Sequence, residues 1–156
     1  MFDSKRDALR TIAGIKPSCS VHNLDPFAEG CEAWEIAEDI DDPALAYEAA
    51  SILVPEEKGG ENSSFFVNAA RDLCAGVMQA FIIKKPKKWT LAELILTLSD
   101  KDKAEKLLRS VPQTRHIADE HFNRDERALN NVLYTLTAAL APLRPIAALY
   151  ANSKKK

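Results

Sequence analysis

Residues 64–98 read SFFVNAARDLCAGVMQAFIIKKPKKWTLAELILTL, and this stretch decides the fold class. Phe66, Ala69, Ala70, Leu73, Val77, Ala80 and Phe81 recur every three or four residues, the period of a helix rather than a strand. The apolar face is broad, so the spacing predicts a central core helix over 64–83. Lys84-Lys85-Pro86-Lys87-Lys88 breaks the pattern and must reach solvent, because four ammonium groups resist burial. A second helix starts at once. Thr90 and Glu93 have the spacing of a capping box, while Trp89 and Leu94 hold the two hydrophobic-staple positions. Leu91, Leu94, Ile95 and Leu98 supply its buried face.

The same grammar extends toward the C-terminus. Asp100 caps a short helix bearing Ala104, Leu107 and Leu108, stopped near Pro112, and residues 113–122 form another. Asp125 caps a longer helix with Leu129, Val132, Leu133, Leu136 and Leu140 in register. Pro142 and Pro145 kink or end it, and Ile146 to Tyr150 add a final turn or two. The most buried helices are expected at 64–83 and 126–141. Lys154-Lys155-Lys156 is expected to be a disordered tail.

Toward the N-terminus, Asp42-Pro43 is a helix start, a side-chain cap followed by proline at the first helical position. Leu45, Ala46, Ala49, Ile52 and Leu53 then share a face, Pro55 ends the helix, and Glu56 to Ser63 with Gly59-Gly60 form an exposed loop. Residues 25–42 look irregular, anchored by Phe27, Trp34 and Ile36. Ser20 to Leu24 read as one short strand stopped by Asp25-Pro26. Asp3 or Ser4 caps a first short helix that Gly14 ends. The fold class expected is mainly α: a single helical domain with at most a short vestigial strand near the N-terminus.

Composition sets the outer limits. With 156 residues, the chain has the length of one domain with a real core. Only 5 glycines and an Ala- and Leu-rich apolar set argue against an all-β fold. The longest apolar run, Leu73 to Ile83, is interrupted by Gln79 and falls well short of the ~20 residues a spanning helix needs. No secretory signal opens the sequence, and three cysteines make no disulfide framework, so a cytoplasmic location is expected. The net charge of −2 conceals a segregation. Residues 31–62 carry ten acidic side chains against Lys58 alone, a net of −9, whereas residues 63–156 carry sixteen basic against nine acidic, a net of +7. Such segregation can guide partners, although a solvated surface is the plainer explanation.

Motifs for catalysis are absent from the sequence. It contains no Gly-x-x-x-x-Gly-Lys-Ser/Thr phosphate loop, no Gly-x-Ser-x-Gly elbow and no Gly-x-Gly-x-x-Gly fingerprint. No catalytic residue and no cofactor is therefore assigned. Cys19-x-x-His22 with Cys31 invites a zinc reading but lacks a second half. His116 and His121 are five apart, off the shared helix face that the His-Glu-x-x-His motif requires, so they read as surface histidines and the cysteines as packed ones. No metal site is assigned. Only the lysine turn offers binding chemistry: Lys84, Lys85, Lys87 and Lys88 beside Trp89 suit phosphates and a stacked base. The staple already explains Trp89, however, and sets a buried role against that of a stacking platform.

Several phrases, in order, resemble the coupling ATPases of type IV secretion and conjugative DNA transfer. Phe2-Asp3-Ser4-Lys5-Arg6-Asp7 resembles the strand end that follows their phosphate-loop helix, with Arg6 where the family has glycine. Leu24-Asp25-Pro26-Phe27 resembles a family turn, and Trp34 the tryptophan soon after it. Asp42-Pro43, Leu53-Val54-Pro55, Phe65-Phe66-x-x-Ala69-Ala70-Arg71, Trp89-Thr90-Leu91, Asn130-Asn131-Val132 and Pro145-Ile146-Ala147-Ala148-Leu149 follow in the family's order. The resemblance implies the family's all-α domain, spanning 25–151, with 1–24 as the edge of the motor domain and 152–156 as the tail. It implies a non-catalytic recognition role toward DNA or relaxosome proteins, in company with the rest of a coupling ATPase that is anchored at the inner membrane. ATP would belong to that parent motor only, because the sequence starts after the phosphate loop and stops before the Walker B strand. This segment itself is expected to make no membrane contact. A stand-alone helical protein-interaction adaptor or regulator is the other reading.

Overall fold

The computed structural model describes residues 8–15, 18, 22–23, 25–28, 31–56 and 61–153. The described residues form helices α1 (Ala8–Ile15), α2 (Ile36–Asp39), α3 (Pro43–Leu53), α4 (Glu61–Lys84), α5 (Leu91–Leu98), α6 (Lys101–Arg109), α7 (Arg115–Phe122), α8 (Glu126–Leu140) and α9 (Arg144–Ser153). Short 3₁₀ turns at Pro112–Thr114 and Ala141–Leu143 lead into α7 and α9. The mainly α class expected from the sequence is what the structure has, with no strand among the described residues. Within the stretch read as a strand, His22 and Asn23 are in no strand, and Ser20, Val21 and Leu24 lie outside the described residues. The proposed cap at Asp3 or Ser4, Gly59-Gly60, Cys19 and the lysine tail lie outside them too.

Two compact units share the chain, residues 1–34 with 149–156, and residues 35–148. In the first, Asp25-Pro26 does make a turn: the Ala28 N–H donates to the Asp25 carbonyl (3.0 Å), and the Asp25 carboxylate accepts from the Phe27 N–H (3.0 Å). Phe27, expected as an apolar anchor, is exposed instead. The turn carries it outward.

The second unit is built around α4, which packs against α3, α5, α6, α7 and α8. Every residue from Leu73 to Met78 is buried, so α4 has apolar contacts almost all round, as a central helix must. Gly76 permits the closest of these. A Cβ there would stand 2.8 Å from Ile117 Cδ1 and 3.3 Å from Leu108 Cδ2, so glycine lets α6 and α7 approach the α4 backbone. The helix begins at Glu61, which converts the end of the expected 56–63 loop into helix.

Local capping chemistry fixes the other elements. The Asp42 carboxylate accepts from the N–H groups of Ala44 and Leu45, and Arg71 on α4 donates from Nε to the Val54 carbonyl (2.8 Å) just beyond α3. The face of α3 differs from the expected one. Ala46, Ala50 and Val54 are the buried positions and Ile52 is 70% exposed, because small alanines allow α3 to lie close on α4. Thr90 and Glu93 form the reciprocal capping box, with Trp89 and Leu94 both buried as the staple requires. Asp100 and Asp125 cap α6 and α8 through Lys103 N–H and Ala128 N–H. α8 buries only Leu129, Val132, Leu136 and Leu140. Leu133 is half-buried, so 126–141 is an amphipathic covering helix and not a second core helix. Pro142 lies in the 3₁₀ turn, after which α9 runs ten residues, further than the turn or two expected.

Candidate nucleic-acid interface

The lysine turn is a defined structure. Lys84 ends α4, and the Lys88 N–H closes a turn onto the Lys85 carbonyl (2.9 Å). Pro86 takes the first central position, where its fixed φ is favoured. Lys87 takes the second, with φ of 58°. This is the pattern of a type II turn, whose second central position normally holds glycine or asparagine. Lysine there carries a Cβ in the left-handed region at a cost of about 1–2 kcal/mol.

The four ammonium groups are exposed but not equivalent. Lys84 donates to Ser110 Oγ (2.9 Å), at the C-terminal end of α6. Lys85 is paired with Glu93 and lies 5.9 Å from the Phe81 ring centre. Lys87 meets Glu38 at 3.3 Å, both about half exposed. Lys88 has no hydrogen-bond or ion-pair partner for its ammonium group among the described residues. Four cations thus face two carboxylates, and the exposed pairs contribute little each, ~0–1 kcal/mol, so the turn remains electropositive. Trp89 is not part of that surface. It is 2% exposed and stacked on Phe81, 5.8 Å between ring centres and 10° between planes. The stacking-platform reading of Trp89 is therefore set aside: the staple holds the ring inside.

The histidines and cysteines are also placed. His22 Nδ1 lies 2.8 Å from a Glu32 carboxylate oxygen, and Cys31 is a free thiol. No group of three metal-ligating side chains comes together among the described residues. Cys74 is fully buried, and burial pushes its thiol up to about 12, which leaves it an inert packed residue. His116 is on the surface, but His121 is not. It is 1% exposed, with Nε2 2.8 Å from Asp72 Oδ2. Asp72 Oδ1 accepts from the Tyr47 hydroxyl (3.1 Å), so α3, α4 and α7 are tied through one carboxylate. The hydrogen bond from His121 holds the Asp72 carboxyl below its ordinary range, and burial pushes the Tyr47 phenol up. Sequence reading missed this group. The signal was present in the spacing of Ile117, Ala118 and His121 on one face and in a lone aspartate within the apolar α4.

The outer face of α8 is polar and uncommitted. Arg127, Asn130, Asn131, Tyr134 and Ala138 are exposed, Tyr134 at 77%. The side chains of Arg127, Asn130, Asn131 and Tyr134 have no partner among the described residues. Two stretches, Ser64–Lys84 and Glu126–Ala151, are long and apolar enough on composition to cross a membrane, which the run of consecutive apolar residues had not suggested. The first is α4, whose apolar surface the domain itself covers.

Set beside known families, residues 18–153 match the one described as the type IV secretion-system coupling protein DNA-binding domain. Neither the curated proteins nor the solved structures yield a match.

Proposed function

The chain belongs to the type IV secretion-system coupling protein DNA-binding domain family, and from that premise we propose that it is the non-catalytic module through which a coupling motor grips DNA in a relaxosome-type transfer complex. The all-α DNA-binding domain is a different domain from the ATPase. In this reading ATP is bound and hydrolysed by the parent motor, and the present segment requires no cofactor. It works on the cytoplasmic side, in contact with the rest of the motor.

The observation that carries the reading is Lys87. A lysine at φ 58° costs more than its half-exposed pair with Glu38 returns, and strain retained without a structural gain points to function. Its turn presents Lys84, Lys85, Lys87 and Lys88 together, and ammonium groups on an exposed turn are suited to phosphates as point charges. Binding of this kind is sequence-independent and falls steeply with salt. The acidic 31–62 stretch repels DNA and favours a basic protein, and its Glu38 reaches the turn through the pair with Lys87, so a phosphate would compete with that carboxylate for the ammonium group.

The test is titration against labelled single- and double-stranded DNA at low and physiological salt. Replacing all four lysines by Gln should lower affinity and flatten the salt slope by roughly 0.7–0.9 for each phosphate no longer neutralised. Lys87→Gly alone should weaken binding while stability holds or rises, because the strain goes with the charge. Absence of binding at either salt would remove the DNA reading and leave a protein partner, as an adaptor would have.

A further inference from the structure

Of the two carboxylates paired with the lysine turn, one is fixed by the fold and the other is not. Glu93 has two duties: one oxygen accepts from the Thr90 N–H (3.1 Å) to complete the capping box, and the other is paired with Lys85. Withdrawing Glu93 would therefore undo the cap of α5. Glu38 has a single duty, its 3.3 Å pair with Lys87, and no other partner among the described residues. Its departure costs the fold only one exposed ion pair.

Both supports of that pair are nevertheless held in place. α2 is only four residues long, but Ile36, Ala37 and Ile40 are all buried, which anchors the backbone that carries Glu38. The Ile40 N–H closes the helix onto the Ile36 carbonyl (3.0 Å). On the other side, the turn fixes the backbone of Lys87 in the left-handed conformation, at φ 58°. The two side chains themselves are 54% and 55% exposed, so an incoming ligand reaches both. A contact of this kind is made and broken by side-chain rotation, with no rearrangement of the backbone.

We infer that Glu38 is an autoinhibitory carboxylate: it occupies Lys87 in the resting domain, and the turn gains its full positive charge only when that contact breaks. This inference rests on the reading of the turn as a phosphate-binding surface and adds its regulation. While Glu38 holds the ammonium group, a phosphate meets a charge already neutralised, and apparent affinity falls with the fraction of time that Lys87 is free. A basic protein segment that takes Glu38 releases Lys87. By linkage, a phosphate on Lys87 leaves Glu38 open to such a segment. The two classes of partner then favour one another through a single ion pair.

The experiment titrates the full chain against a labelled DNA duplex, used as an array of phosphates, at low salt. The variants are Glu38→Gln, Lys87→Gln and the two combined, and Glu38 is exposed, so its replacement leaves the core intact; circular dichroism checks that. Glu38→Gln should bind about two- to fivefold more tightly than wild type, the range of an exposed ion pair. With Lys87→Gln already present the same change should have much less effect, since no ammonium group is left to release. Asp41→Asn removes another exposed carboxylate nearby in sequence, controls for net charge and should change little. An equal gain with and without Lys87, or from Asp41→Asn, would reduce the effect to net charge and overturn the inference. No gain from Glu38→Gln, with the four-lysine Gln variant still weaker than wild type, would overturn it and leave the turn's role standing. Wild type and Glu38→Gln that both bind no DNA would instead remove the reading beneath it.

Discussion

Replacing Asp72 by Ala should cost the domain about 1.5–3 kcal/mol at neutral pH. Asp72 accepts from His121 Nε2 (2.8 Å) and from the Tyr47 hydroxyl (3.1 Å). His121 is 1% exposed and its Nδ1 already has no partner, so removing Asp72 strands both ring nitrogens in the core. A stranded buried polar group costs about 1–3 kcal/mol, and a hydrogen bond to a charged group contributes about 1.5–3. Tyr47 is 46% exposed and turns to water at little loss. Alanine regains about 0.5 kcal/mol of helix propensity in α4, which brings the net into the stated range. Urea denaturation would measure it, and a cycle with His121→Phe should show about 0.5–3 kcal/mol of coupling. The pH dependence has a definite sign. The folded Asp72 carboxyl titrates below its ordinary value of 3.8, so its contribution is full above that value and is lost as pH falls through the lower folded one. The gap between wild type and variant should close correspondingly in acid. A loss within ~0.5 kcal/mol at pH 7, or a gap independent of pH down to unfolding, would refute the reasoning.

Trp89→Ala should lower stability by about 3–5 kcal/mol and Thr90→Ala by about 1, read by thermal melts, since the first empties a core position and the second removes a cap. Leu73→Ala should cost about 2–5 kcal/mol, and Leu133→Ala distinctly less because its site is already partly wet; equal losses in chemical denaturation would place Leu133 in the core. Gly76→Ala should destabilise despite alanine's helix propensity, because the new Cβ meets both Cδ1 and the less movable Cγ2 of Ile117, at 2.8 and 3.0 Å; a gain of ~1 kcal/mol in the same assay would mean that α7 yields freely.

What the sequence disclosed was what is encoded within a few residues. The Thr90–Glu93 box, the Asp42-Pro43 start, the Asp100 and Asp125 caps and the central role of α4 are all local, and each was legible. The faces of α3 and α8 were legible only in part. Apolar residues surround much of α3, so periodicity alone could not choose Ala46 and Ala50 over Ile52. Close approach to α4 made the choice. The Tyr47–Asp72–His121 group joins residues up to 49 apart in sequence, which no window over neighbouring residues can pair. The candidate interface followed the same rule. The four lysines were read from their run, but the ties of Lys84 to Ser110 and of Lys87 to Glu38 arise from tertiary structure. The positive φ at Lys87 was equally hidden, because turn preferences assign that position to glycine.

The central place of α4 bears on synthesis as well as on stability. Its neighbour α3 precedes it, but α5, α6, α7 and α8 all follow. A ribosome releasing about 5–20 residues per second needs roughly 3–11 seconds to deliver residues 85–140 after α4 is complete. At its start the surface from Leu73 to Met78 has α3 as its only partner helix, and the others arrive one by one. The nascent chain therefore passes through a stage in which its central helix is uncovered, when the demand for chaperone shelter is greatest. The lysines that follow α4 directly place four positive charges beside that surface during the wait, and so oppose the meeting of two unfinished chains.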